Sequence, residues 1–352
     1  MNAPSPEQQI AFLTNLQRLL SEGAFVATYK YALLMALADI AVERGADDDS
    51  ELVITTSQIA EKCVQYYWRQ STPYLPGKNG SRVLQQNTGR QAGIIKLVHT
   101  AHNNYEGSLT EARHDQWQWQ PLVRKVAEIV RVMPLWKLQT VGNEKLDFLY
   151  HNAGQGSQIT LKPGIAFCFR KHYGLVADMV KGAWSRYVRR FNVEVLGGRA
   201  DLNEFLFGSE RANLKAVSAI INEFQSGTCF YCQRPLKGDI SHVDHFVPWS
   251  RYPVDLGHNF VLAHGACNGK KSDRLAAAVH LDAWCEYQQE NAKNLAVEFN
   301  RLGILNDFKS TLRIVHWAYN QTFDSHGLTW LRNQELQPLA DGWNKSLGVL
   351  LN

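Results

Sequence analysis

A chain of 352 residues has room for two or three hydrophobic cores, and its 45% hydrophobic and 11% aromatic content excludes a disordered protein. The net charge of +4 and isoelectric point near 8.6 permit an anionic partner without demanding one. No apolar run reaches the roughly 18 residues of a membrane span; the best stretch, Tyr31 to Val42, is short and holds Asp39. The N-terminus shows no basic region followed by an apolar stretch, so no signal peptide is expected and the cytoplasm is the expected compartment.

Glu7 to Leu20 carries apolar residues at Ile10, Phe12, Leu13, Leu16, Leu19 and Leu20, which is helical spacing. Phe25 to Arg44 predicts a second, more apolar helix, stopped by Gly45 and the turn Asp47-Asp48-Asp49. Val53 to Ala60 predicts a short strand and then a capped helix. Thr55 to Trp68 is compatible with a helix-turn-helix reader, while its aromatics Tyr66, Tyr67 and Trp68 read as core. Pro73 to Gly93 reads as loop and Thr110 to Leu135 as helical. Lys137 to Leu161 predicts one or two hairpins turning at Gly142-Asn143 and Asn152-Ala153-Gly154. Ala177 to Arg190 predicts a helix with the basic cluster Lys181, Arg186, Arg189 and Arg190, either a solvated face or a DNA footprint.

A boundary near Gly197-Gly198 divides the chain. Residues 1–200 are expected to form a mostly helical domain for substrate recognition or regulation. A chemical module is expected over 213–280 and a helical region over 281–352, with helices in His280 to Leu302 and Leu312 to Leu350.

Of the six cysteines, Cys63, Cys168 and Cys285 read as small buried hydrophobes. The other three fall in one stretch: Cys229-Phe-Tyr-Cys232, then Val243-Asp244-His245, then His258-Asn259, then His264-Gly-Ala-Cys267-Asn268-Gly-Lys270-Lys271. A Cys-x-x-Cys pair and a His-x-x-Cys pair have the spacing of a tetrahedral zinc site. Carboxylate and amide oxygens such as those of Asp244 and Asn268 suit a hard cation, and a neutral imidazole near its usual pKa of about 6.5 suits a general base.

Residues 228–275 resemble the HNH, or His-Me finger, nucleases, closest to the subgroup whose ββα fold is braced by a zinc knuckle. The resemblance extends to phage resolvase-type endonucleases and to modules of bacterial restriction and defence enzymes. It implies an α+β, mainly helical protein with a central ββα-metal module between helical N- and C-terminal regions. It implies His245 as general base, Asp244 and Asn268 as ligands of a catalytic Mg²⁺ or Mn²⁺, and Asn259 as the residue tying the connecting loop to its strand. Cys229, Cys232, His264 and Cys267 would hold structural Zn²⁺, with His264 standing where the family commonly has a cysteine. Lys270, Lys271, Arg274 and Arg251 would contact substrate phosphates.

The activity so implied is hydrolysis of DNA phosphodiester bonds in restriction or phage defence. A structure-specific nuclease on branched DNA and a non-catalytic zinc-knuckle binder are the alternatives; the second is expected to have lost Asp244, His245 or Asn268, and all three are present. Expected partners are DNA, a second copy of the chain where both strands are cut together, and a defence-system protein, with no membrane.

Overall fold

Ser5 starts the first helix by a reciprocal cap: its hydroxyl accepts from the Gln8 backbone N–H, and the Gln8 side chain accepts from the Ser5 N–H. The computed structural model describes residues 3–23, 25–74, 82–89, 91–151, 156–196, 202–208, 214–236 and 241–351. They fall in two compact units, Met1–Ser209 and Glu210–Asn352. The protein is mostly helical α+β with small two-stranded sheets. No helix among the described residues is long and apolar enough to cross a membrane.

The first unit runs α1 (Pro6–Glu22), α2 (Tyr29–Arg44), β1 (Leu52–Thr55), α3 (Thr56–Gln70), α4 (Gly93–Asn104), α5 (Leu109–His114), α6 (Gln116–Val132) and α7 (Pro134–Lys137). It continues through β2 (Thr140–Val141), β3 (Glu144–Lys145), β4 (Gln158–Leu161), α8 (Ile165–Lys171), α9 (Tyr173–Phe191), α10 (Val193–Leu196) and α11 (Leu202–Phe207). Every residue of α2 from Lys30 to Glu43 is buried, which makes this helix the axis of the unit, with α3, α8 and α9 packed around it. Its buried polar groups are paired. Asp39 accepts from the hydroxyls of Tyr66 and Tyr173, and Glu43 takes the ammonium of Lys62. The C-terminal carbonyls of Ala41 and Val42 accept from the guanidinium of Arg170, which also clamps Asp47. The Ala41 carbonyl also accepts from the Gly45 N–H at 2.8 Å, so the arginine adds a second partner there and supplies one to Val42 near the helix end, where carbonyls run out of intrahelical donors.

The expected hairpin at Gly142-Asn143 forms between β2 and β3. β4 pairs with β1, Leu52 opposite Leu161, about a hundred residues away in the chain, and Leu161 also forms an antiparallel bridge with Tyr150. The second expected turn, at residues 152–154, and the expected boundary at Gly197-Gly198 lie outside the described residues. In α3, Tyr67 and Trp68 are buried and the helix packs on α2, α4 and α6, so those aromatics belong to the core. Residues Arg186, Arg189 and Arg190 lie on α9.

The second unit contains α12 (Leu214–Phe224), β5 (Ser241–His245), β6 (Phe260–His264), α13 (Gly265–Lys271), α14 (Ala278–Arg301), α15 (Phe308–Asp324), β7 (Leu328–Arg332), β8 (Glu335–Pro338) and α16 (Lys345–Leu351). The ββα module lies within this C-terminal unit. β5 and β6 are antiparallel, with Asp244 opposite Val261 and His245 opposite Phe260. One face of the pair packs on α12 and α14 through Val217, Ile220, Ile221, Phe260, Leu262, Leu295 and Phe299.

The C-terminal region is not helical throughout. Residues 328–338 form the β7–β8 hairpin, turning at Asn333 in the left-handed region with φ +49°. Thr329 and Trp330, just before that turn, are β-formers, a local preference that outweighs the helical pattern around it.

Candidate functional site

The Cys229–Cys232 turn docks on the end of β6. The Cys229 N–H donates to the Arg234 carbonyl at 2.9 Å, and the Phe230 N–H donates to the Leu262 carbonyl at 2.9 Å. Gln233 closes the turn with φ +57°. His264 ends β6, and Cys267 lies in the first turn of α13. One donor atom from each of Cys229, Cys232, His264 and Cys267 lies within 4.8 Å of all the others. Ligand bonds of about 2.0 to 2.3 Å around one zinc ion place donors roughly 3.5 to 4 Å apart, so small side-chain adjustments close the shell.

The hydrogen bonds around these ligands fit zinc as well. His264 Nε2 donates to the Pro235 carbonyl at 3.2 Å, which leaves the Nδ1 lone pair facing the sulfurs, 3.3 Å from Cys232 Sγ. The His264 backbone N–H points at Cys229 Sγ, 3.4 Å away. Burial and the neighbouring sulfurs of Cys229 and Cys232 push the Cys267 thiol up to about 12, a penalty on negative charge that a bound cation removes. The residues fit structural zinc.

β5 sends Asp244 and His245 to opposite faces of the strand. Asp244 is 7% exposed and is held through Oδ2, which accepts from the Tyr231 hydroxyl at 2.6 Å and pairs with Lys271 Nζ at 2.9 Å. Asp244 Oδ1 accepts no hydrogen bond among the described residues. On the other face, the His245 ring lies edge-on to Trp249 and Phe260, with centroids 5.1 and 5.0 Å away. Its Nε2 lies 2.7 Å from Asp255 Oδ1.

Asn259 accepts from the Val247 N–H at 2.8 Å and donates to the Val247 carbonyl at 3.0 Å. This two-point bond joins the start of β6 to the residues that follow β5. Asn268, half-buried on α13, makes no side-chain hydrogen bond among the described residues. Lys271 follows it by three positions, so the two share one side of the helix.

Lys271 departs from the phosphate contact expected of it. Its side chain is fully buried, pairs with Asp244, and donates to the His245 carbonyl at 2.9 Å. Burial pulls its ammonium below the ordinary lysine value, opposed by Asp244. It thereby ties α13, and Asn268 with it, to β5 beside Asp244. Lys270 and Arg274 are exposed, and Lys270 donates to Asn333 Oδ1 at 2.9 Å. Arg251 is turned inward and donates to Thr322 Oγ1 at 3.1 Å, where burial lowers its pKa.

His242 is exposed opposite Ala263. His258 is 1% exposed, and its Nδ1 lies 3.2 Å from Gln288 Oε1. Burial holds His258 down at about 4. Because this folded value is below the unfolded 6.5, the group's contribution is complete above about pH 6.5 and is lost as pH falls towards 4. Unfolding free energy of the C-terminal unit is expected to drop by about 2 kcal/mol between pH 7 and 5 from this residue. Urea titrations of the parent and His258→Gln should show that difference in slope; equal slopes would remove His258 from the account.

Tyr231 and Asp255 have partners that sequence spacing did not signal. Tyr231 lies inside the Cys-x-x-Cys turn, the one hint available for it, and Asp255 precedes Asn259 by four residues in a segment without regular structure.

A family model described as HNH endonuclease matches residues 229–274. A model described as a domain of unknown function, DUF8808, matches residues 9–201, more than half of the chain. No curated protein and no solved structure matches it significantly. The HNH match and the Cys₃His cluster support nuclease activity on DNA, with a site that can hold zinc.

Proposed function

We propose that this chain, which belongs to the family of the DUF8808 domain, is a metal-dependent endonuclease that hydrolyses DNA phosphodiester bonds with His245 as general base. The observation that carries the reading is the arrangement around β5. His245 is fixed on one face, while Asp244 on the other is joined by Lys271 to the helix that bears Asn268.

Asp244 and Asn268 would hold the catalytic Mg²⁺ or Mn²⁺. Asp244 Oδ1 and the Asn268 amide oxygen are hard donors with no hydrogen bond among the described residues, which suits such an ion. When bound, that cation supplies charge stabilisation at phosphorus and at the departing 3′ oxygen. His245 takes a proton from the attacking water as the oxygen bonds to phosphorus. The bond from phosphorus to the 3′ oxygen then breaks, leaving a 5′ phosphate, and the departing 3′ oxygen takes a proton from solvent water. Lys270 on α13 and Arg274 just after it are exposed and would meet flanking phosphates. The N-terminal unit would select or regulate the substrate, and the biological setting would be restriction or phage defence.

Supercoiled plasmid incubated with Mg²⁺ or Mn²⁺ should be nicked or linearised by the parent and protected by EDTA. His245→Ala should cut about 10² to 10⁴ times more slowly, the range for loss of a positioned general base. An unchanged rate in His245→Ala would sink the mechanism. A folded parent that binds DNA but cuts neither plain nor branched substrate would favour a non-catalytic zinc-knuckle binder.

A further inference from the structure

The geometry points to Asp255 as the positioning residue that sets the tautomer of His245, a reading that rests on the proposed nuclease. His245 Nε2 lies 2.7 Å from Asp255 Oδ1, and the two side chains are only 11% and 15% exposed. An ionised carboxylate can only accept, so the imidazole proton sits on Nε2. The Nδ1 lone pair is therefore the one left to take a proton from water. Nδ1 makes no hydrogen bond among the described residues.

The loop carrying Asp255 is fixed at both ends, which a tautomer-setting residue requires. After β5, the Val247 backbone is held on both sides by the Asn259 side chain. The Arg251 N–H donates to the Pro248 carbonyl at 2.9 Å. Tyr252 is 2% exposed against Trp317, and Leu256, next to Asp255, is 3% exposed. Gly257 donates to the Leu305 carbonyl at 2.8 Å, and a Cβ there would come within 2.4 Å of the Phe299 ring. The carboxylate is thus presented by a pinned backbone, while Trp249 and Phe260 hold the imidazole plane.

A loop-anchoring ion pair would have the same contact, and the isosteric Asp255→Asn substitution separates the two roles. An amide keeps shape and hydrogen bonding, yet its NH₂ group can donate to Nε2 and move the imidazole proton to Nδ1. That tautomer has no lone pair facing the water. Asp255→Asn and Asp255→Ala are both expected to lower kcat at least about 10-fold, with KM within about 2-fold. Asp255→Glu should recover part of the loss. Nitrogen-15 spectra of the imidazole should show the Nε2–H form in the parent and Nδ1–H in Asp255→Asn.

A parent imidazole carrying its proton on Nδ1 would overturn the assignment, as would folded Asp255→Asn cutting at the parental rate. The spectra test Asp255 even where no cutting is found. If His245→Ala still cuts, the nuclease mechanism fails for a separate reason.

Discussion

Protein purified without added metal is expected to carry one zinc ion per chain, and stripping it is expected to unfold the ββα module. Structural zinc sites contribute apparent binding free energies of about 10 to 16 kcal/mol near neutral pH, while a domain is typically stable by only about 5 to 15 kcal/mol. The effect is large because the ligands come from three separate pieces of backbone. Cys229 and Cys232 belong to a turn, His264 ends β6, and Cys267 lies on α13, the helix that also carries Asn268 and Lys271.

Metal analysis and circular dichroism of Cys229→Ser and Cys267→Ser should show zinc lost and a lower thermal midpoint. His264→Ala should weaken zinc retention, whereas His264→Cys, which makes a Cys₄ set, should keep the ion and the fold. Zinc-free protein with an unchanged midpoint would overturn the structural role. Cys229→Ser and Cys267→Ser also separate zinc loss from removal of the catalytic cation, since EDTA takes both.

The Cys₃His cluster and the ββα order were legible because they are written as short spacings. Two ligands separated by two residues must lie close together whatever the surrounding fold, so Cys229 with Cys232 and His264 with Cys267 announce themselves. Helices α1, α2 and α14 were legible for a related reason, since an apolar period within one segment needs no knowledge of its partner. Pairing across the chain leaves no such trace. β4 finds β1 far away in the chain, and four residues in each strand carry too little pattern to name a partner.

The same limit applied inside the site. Asp255 was hidden because a loop carboxylate has no period, and only the fold of residues 246–259 brings it to His245. The basic run Lys270-Lys271 was legible as charge but not as direction. One helix position separates an exposed ammonium bonded to Asn333 from a buried one bonded to Asp244, and composition treats them alike.

Lys271→Ala is expected to destabilise the C-terminal unit by about 3 to 5 kcal/mol, the usual cost of removing one partner from a buried ion pair. The substitution would leave Asp244, 7% exposed, with the Tyr231 hydroxyl as its remaining partner at Oδ2, and would free the His245 carbonyl. Lys271→Met keeps much of the volume and should cost nearly as much, because the loss comes from the unpaired carboxylate. Pairing it with Asp244→Asn should return part of the stability, since a neutral amide needs no counter-charge. Urea unfolding of the parent, Lys271→Met, Asp244→Asn and the double variant closes the cycle. A surface phosphate contact behaves oppositely: Lys271→Ala would leave unfolding unchanged and lower the salt slope of DNA binding by about one. That pattern would remove Lys271 from the support of Asp244. The ion pair would then have no bearing on how α13 and Asn268 are held beside β5.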